Sequence, residues 1–459
     1  RGAAGPARDG RDAACRVVAR QAGAFPLLVP TEPEVSGLDA REAALAHAIH
    51  DAVLRRWLTL SYLIERASGR GLGDLEPAMR AVLLCGAAQL VLLDRIPPHA
   101  AIDQGVEWAK RRIRPKAAGM ANAILRRVDG LIARDAEGGL VRRERWTDRR
   151  DEIPMGDGSA RVLRAEVLPE DPLERLSIIT SVPGPLLGRW GGAEARGRAL
   201  HALTSPPTIL NTLHAGAPLP AGLRAHERAG HHVWTAEAGS HADLVAFLRG
   251  RDDVWVQDPG SSASVLMAHE ALVRRGMPGR AAPRLIADVC AGQGTKTRQL
   301  ARLFPEAEIL ATDTDASRLA TLRGVFAGHP RVRVLDRAEL AGQGLGRCDL
   351  VLLDVPCSNT GVLSRRPEAR YRLTPRTLER MRDVQRQIAA DSIPLLGPRG
   401  LVLYATCSLE AEENEQMAAW LARWHDLRTL SQQRCEPAGQ PGDPPERHAD
   451  GSYAVLVGR

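Results

Sequence analysis

The pattern of apolar and polar positions changes character along this 459-residue chain. From about residue 7 to 135, apolar residues recur at three- and four-residue spacing, the period of a helix with one buried face. "RDAACRVVARQAGAF", "REAALAHAIHDAVLRRWLTLSYLIERA", "PAMRAVLLCGAAQLVLL", "AIDQGVEWAKRRI" and "AAGMANAILRRVDGLI" carry this spacing, separated by breaks such as "GRGLGDLEP" and "DRIPPHA". The spacing predicts an all-α bundle over residues 1–136. Residues 137–171 are polar and mixed in charge, and read as a linker with one short strand. Residues 172–254 combine a strand-like "ILNTLHA" with a helix-like "HADLVAFLRG" and read as a small α/β connecting domain. Over 255–459 buried strands alternate with helices: "RLIADVC", "TKTRQLARLF", "AEILATD", "ASRLATLRGVFAG", "RVRVLD", "CDLVLLDVP", "PRTLERMRDVQRQIAADSIPLL" and "GLVLYATCS". Such alternation predicts a Rossmann-like α/β domain, a parallel sheet with crossover helices. Ligands of these sheets bind at the carboxyl ends of the strands.

Composition sharpens this picture in a few places. The formal net charge of +7 fits a polyanionic partner. Seven cysteines in no regular framework fit a reducing compartment. "RGAAGPARDGRDAAC" lacks the apolar core of a signal peptide, and the longest apolar run, residues 81–93, is too short to span a bilayer. We therefore expect a cytoplasmic monomer without a membrane segment. Nearly all cations are arginine; the lysines are Lys110, Lys116 and Lys296. Five cations crowd "WAKRRIRPK" (108–116), either a solvated helix end or a phosphate-contacting patch that includes Lys110, Arg111 and Arg112.

The chemistry lies at the strand ends. "DVCAGQGTKT" (288–297) places Gly292 and Gly294 where the backbone turns and approaches a ligand. A dinucleotide fingerprint would require a third glycine where Thr297 stands, which leaves a generic nucleoside-binding loop. Asp313, 21 residues after Gly292, can accept from a ribose diol or cap the next helix; Asp315 is the better cap. Asp336 could accept from an adenine amino group. Asp354, Pro356 and Cys357 follow the fourth strand, and Thr406 and Cys407 end the fifth. One buried cysteine there would be a small hydrophobe. Two, on neighbouring strands beside an acid, point to covalent chemistry instead. Neither has Cys or His partners at zinc-ligand spacing, so no metal is expected.

These motifs resemble the Nop/Sun family of RNA 5-methylcytosine methyltransferases. Its Gly-Lys-Thr, Pro-Cys and Thr-Cys motifs correspond to "CAGQGTKT", "DVPCSNTGV" and "YATCS". The N-terminal "LVLLDRIPPHAAIDQGVEWAKRR" and "GMANAILRRV" resemble a NusB-like RNA-binding domain, and "SVPGPLLGRW" and "VQDPGSSASVLMA" the family's connecting regions. The chain departs from the family at Gln293 and Thr295, where proline and glycine are usual, and in "SRRPE" for "RRHPD". The resemblance implies a class I S-adenosylmethionine-dependent methyltransferase domain over 255–459, acting on carbon 5 of a cytosine in RNA. The fused NusB-like domain implies small-subunit (16S) ribosomal RNA as substrate. It also implies Cys407 as the nucleophile, Cys357 as the residue that aids product release, and Asp354 as the acid on the base edge. S-adenosylmethionine would contact Cys290, Ala291, Gly292, Gln293, Gly294, Thr295 and Lys296, then Asp313, Asp336 and Asp354. Lys296 or the Arg365/Arg366 pair would supply the positive charge a thiolate needs, and Arg365, Arg366, Arg370 and Tyr371 would contact RNA. The acidic run Glu410 to Glu415 predicts the first turn of a helix whose N-terminus favours a thiolate at Cys407.

Four alternatives compete. A DNA cytosine methyltransferase would lack the Thr-Cys partner. A non-catalytic NusB-like RNA-binding factor would not need two cysteines and Asp354. A nicotinamide dehydrogenase would need the third glycine. The same chemistry on transfer RNA or another ribosomal site leaves no mark in the sequence.

Overall fold

The computed structural model describes residues 5–274 and 282–459. The chain divides into two compact units: residues 1–205, 363–372 and 440–443 form one, and 206–362, 373–439 and 444–459 the other.

The first unit begins with six helices: α1 (Gly10–Ala24), α2 (Ala40–Arg55), α3 (Trp57–Ser68), α4 (Pro77–Leu92), α5 (Pro98–Arg112) and α6 (Ala117–Leu131). Helix α4 is apolar on all sides, with Met79 and Ala81 to Val91 buried, so it forms the axis of the bundle. The segment read as a linker is ordered. It forms a three-stranded sheet of β1 (Arg142–Arg143), β2 (Glu152–Pro154) and β3 (Ala160–Val162), in the order β1-β3-β2. Helices α7 (Pro172–Thr180), α8 (Gly184–Trp190) and α9 (Gly192–His201) complete the unit. The connecting domain expected over 172–254 is therefore split. Its first part belongs with the bundle, and residues from 206 onward belong to the second unit.

The second unit opens with β4 (Ile209–Asn211), β5 (Arg224–Ala225), β6 (His231–Val233), α10 (His241–Leu248) and β7 (Trp255–Val256); the strands form a small sheet, β5-β6-β4-β7. There follow α11 (Pro259–His269), β8 (Leu285–Asp288), α12 (Thr295–Leu303), β9 (Glu308–Ala311), α13 (Ala316–Val325), β10 (Val332–Val334), α14 (Arg337–Gly344) and β11 (Cys348–Asp354). A one-turn helix, α15 (Ala369–Arg372), belongs to the first unit. Then come α16 (Pro375–Ser392), β12 (Leu396–Thr406), α17 (Glu415–His425), β13 (Arg428–Cys435) and β14 (Ser452–Gly458). The seven-stranded sheet has the order β10-β9-β8-β11-β12-β14-β13. Strands β10 to β12 pair in parallel; β14 and β13 add on antiparallel. Leu350, Leu352, Leu401 and Leu403 pack on one face, and Val351, Leu353, Val402 and Tyr404 on the other. Both faces are covered, which is why these strands read as unbroken apolar runs.

Candidate active site

Parallel pairing of β11 with β12 sets Asp354 opposite Ala405, so the residues after both strands emerge side by side. Cys357 Sγ lies 3.3 Å from Cys407 Sγ, and the Cys407 thiol donates to Asn359 Oδ1 at 3.2 Å. Cys357 is buried and Cys407 partly exposed. The neighbouring thiol and burial raise the Cys357 pKa well above the ordinary range, with Glu413 adding to the effect. The loop carrying Cys357 folds tightly: Gly361 N–H donates to the Cys407 carbonyl at 2.9 Å. A Cβ on Gly361 would lie 2.8 Å from that oxygen and 2.5 Å from the Gly451 carbonyl, so only glycine fits.

Lys296 Nζ donates to Asp354 Oδ2 at 2.7 Å. Burial by itself would lower the Lys296 pKa, but the Asp354 carboxylate, with smaller contributions from Cys407 and Asp288, holds it above the ordinary lysine value. Lys296 thus lies within electrostatic reach of Cys407. Asp288, fully buried at the end of β8, accepts from Thr297 Oγ1 at 2.7 Å, so the residue that breaks the dinucleotide fingerprint anchors this acid. Burial pushes the Asp288 pKa up to about 7, with the Asp354 charge a smaller contribution in the same direction. Burial likewise pushes the Cys290 thiol up to about 12.

The loop between β8 and α12 has the features of a cofactor cradle. Gly292 has a φ of 57° and nothing within 4 Å of a Cβ built on it, so its outer side is open. Gly294 has a φ of 89°, and a Cβ there would collide with Phe326 and Leu322. Gly292 N–H donates to Asp313 Oδ2 at 2.9 Å, and Asp315 N–H to Asp313 Oδ1 at 2.8 Å. Asp315 caps α13, as expected of the pair. Asp288 Oδ1 is buried without a hydrogen-bond partner among the described residues. A bare glycine turn beside carboxylates, one with an unused oxygen, fits a nucleoside cofactor that carries hydroxyl and ammonium groups. Gln293 is exposed, and Thr295 starts α12. Asp336 is exposed at the end of β10, where its carboxylate caps α14 in a reciprocal pair with Glu339.

Three expectations need correction. Arg370 and Tyr371 are not RNA-facing. Arg370 is 0% exposed and belongs to the first unit. Its guanidinium donates to the carbonyls of Thr180, Ala202 and Leu363 at 2.9 to 3.0 Å, and approaches that of Arg55 at 3.4 Å. Three of these carbonyls stand at the C-terminal ends of α7, α9 and α2, where unpaired oxygens concentrate negative potential. Tyr371 is buried beside it and donates to the Leu54 carbonyl at 2.7 Å. Of the neighbouring pair, Arg366 is exposed and Arg365 partly so. Finally, no helix starts at Cys407. Residues 411–414 form a turn, and α17 begins at Glu415. Lys110, Arg111 and Arg112 are exposed at the end of α5, while Trp108 is buried and donates to Asp12 Oδ1 at 2.9 Å.

Residues that sequence reasoning passed over complete the site. Ser358, Asn359, Ser408, Gln385, Glu413 and Asn414 bond around the two thiols. Nothing in the order of residues links Glu413 to Ser358, 55 positions away.

Fold and site together define an S-adenosylmethionine-dependent methyltransferase. Residues 281–451 match the family model "16S rRNA methyltransferase RsmB/F", and residues 23–130 match the NusB family. Residues 281–451 are thus an RsmB/F-type methyltransferase domain and residues 23–130 a NusB-type domain. It is 29% identical over 443 residues to the ribosomal RNA small subunit methyltransferase B of Xanthomonas campestris, covering 91% of this chain and 89% of that one. The protein of that name from Shigella flexneri is 28% identical, with 94% and 93% covered. The solved structure of PH0851 superposes with a TM-score of 0.67 at 18% identity, over 100% of each chain, a likeness of fold. No helix among the described residues is long and apolar enough to cross a membrane.

Proposed function

We propose that this protein methylates carbon 5 of a cytosine in small-subunit ribosomal RNA, in the cytoplasm, through a covalent bond between Cys407 and carbon 6. The observation that carries this reading is the thiol pair, 3.3 Å apart, at the ends of adjacent strands. Cytosine carbon 5 is a poor nucleophile. When Cys407 gives up its proton to solvent and its sulfur bonds to carbon 6, the displaced ring electrons reach nitrogen 3, which takes up a proton, and carbon 5 becomes enamine-like. The Lys296 ammonium favours the thiolate, and its bond to Asp354 Oδ2 fixes that carboxylate. Asp354 then accepts from the amino edge of the base and balances charge at ring nitrogen 3. S-adenosylmethionine, when bound, supplies an electrophilic methyl group; Cys290 to Lys296, Asp313, Asp336 and Asp354 are the residues that would hold it. Release requires loss of the carbon 5 proton, whose electron pair restores the ring double bond as the carbon–sulfur bond breaks. Cys357, held as a thiol 3.3 Å from Cys407, is placed to pass its proton to the departing Cys407 sulfur and to accept the one from carbon 5, so that both residues end as thiols. Carbon 6 is hidden in a duplex, so the target base must be unpaired or turned out.

The test is transfer of labelled methyl to unmodified small-subunit RNA. Cys407→Ala is expected to abolish transfer, and Cys357→Ala to accumulate a protein–RNA adduct stable on a denaturing gel. Wild-type turnover in Cys407→Ala would sink the mechanism. Preferred labelling of transfer RNA or DNA would move the substrate assignment.

A further inference from the structure

The turn before α17 carries two consecutive buried polar residues, Glu413 and Asn414, each 0% exposed. Asn414 is tied to the Cys407 loop, and Glu413 chiefly to the Cys357 loop, with Ser408 of the Cys407 loop also bonded to its carboxyl. Glu413 Oε1 accepts from Ser358 N–H and from Gln385 Nε2, both at 2.9 Å, and its Oε2 lies 2.5 Å from Ser358 Oγ. Ser358 directly follows Cys357. The Gln385 amide is oriented by Pro356, whose carbonyl it meets at 2.9 Å, so its nitrogen is the atom facing Glu413. Asn414 grips the other loop from both sides. Its Oδ1 accepts from Thr406 Oγ1 at 2.6 Å, and its Nδ2 donates to the Ser408 carbonyl at 2.9 Å; these residues flank Cys407. The Tyr404 hydroxyl, 2.8 Å from the Glu413 carbonyl, holds the turn against the sheet.

We propose that Glu413 and Asn414 are paired positioning residues, Glu413 holding the Cys357 loop for product release and Asn414 holding the Cys407 loop for attack. This rests on the roles given to the two thiols under the proposed function. A buried polar group that loses its partners is costly to keep in place, so removing either side chain releases its loop. The two losses carry opposite signatures. Glu413→Ala displaces Cys357, and adduct accumulates as in Cys357→Ala. Asn414→Ala displaces Cys407, and adduct does not form, even when combined with Cys357→Ala. Glu413→Gln retains an oxygen for Ser358 N–H and Gln385 and an amide that can donate to Ser358 Oγ, so it rescues.

The experiment measures steady-state kinetics and gel-stable adduct for full-length Glu413→Ala, Glu413→Gln, Asn414→Ala and both cysteine variants on the same RNA. Expected are a kcat at least tenfold lower in Glu413→Ala with adduct present, and in Asn414→Ala with adduct absent. KM for S-adenosylmethionine should stay within about threefold, and Glu413→Gln within threefold of wild type. Loss of activity in both alanine variants with the same adduct behaviour would overturn the division of roles, as would unfolding of Glu413→Gln or wild-type kcat in either alanine variant. If Cys357→Ala itself gave no adduct, the proposed chemistry would fail, and this inference with it. If the cysteine variants behaved as expected and the turn variants did not, only the positioning roles would fall.

Discussion

Asp288 shows how much one buried side chain can carry. Its carboxyl titrates at about 7 in the fold, against an ordinary 3.8. Between those values the unfolded chain has lost the proton and the folded chain retains it. Stability therefore falls as pH rises from about 4 to 7, by up to about 4 kcal/mol for this group. Asp288→Asn keeps an oxygen for Thr297 but has no charge to bury. It is expected to stabilise the protein at pH 8 and to give little gain at pH 4.5, read from urea unfolding of the cofactor-free protein. An equal gain at both values would show that the fold does not raise the Asp288 pKa. At the same scale, the identities of Cys357, Cys407, Asp354 and Lys296 were legible from their place after apolar strands. The 2.7 Å pairing of Lys296 with Asp354 was not, because 58 residues separate them.

At the scale of elements, the instructive case is the basic run Arg365 to Arg372. A cluster of cations with a tyrosine has the composition of a nucleic-acid contact. Half of it instead closes the bundle, where Arg370 meets helix C-termini and Tyr371 packs with its rings 5.5 Å from Phe25. Burial lowers the Arg370 pKa to about 10, which leaves the guanidinium charged at neutral pH. Arg370→Ala would strand several carbonyls in a dry interior, a loss of about 3 kcal/mol or more. Denaturant unfolding should register it as loss of the first unit. RNA affinity measured on the protein that remains folded should be unchanged. The acidic run after Cys407 carries the same lesson. Its composition suits a helix start, yet Glu413 and Asn414 turn inward because partners from Ser358, Gln385 and Thr406 are waiting there. The strands β13 and β14 were also missed, although "SYAVLVG" is an apolar run of strand length. The alternation of strand and helix that revealed the parallel part of the sheet ends at β12, and antiparallel additions follow no such rhythm.

For the whole molecule, part of the basic excess of the sequence lies exposed at the end of α5. Lys110 lies 3.7 Å from Glu107, and Arg112 3.6 Å from Asp12, so part of its charge is already balanced. If this patch binds RNA phosphates, replacing Lys110, Arg111 and Arg112 with alanine should weaken binding across sequences alike. It should also flatten the dependence of log affinity on log salt by about 2. Binding titrations at several salt concentrations measure both; an unchanged slope would remove the patch from the RNA surface.

The sequence by itself determined which elements present the candidate residues, the glycines, acids and cysteines that follow the strands. Apolar strands that end in Gly, Asp and Cys can be read locally, since strand period and turn chemistry act over a few residues. It determined the helical and α/β halves for the same reason. Only the tertiary structure decided where residues 172–254 divide, that Arg370 is a buried cap, and that Glu413 and Asn414 face the thiols. Each of those outcomes depends on whether a polar group finds partners from distant segments as water is excluded, and that is settled only when the sheet and bundle close.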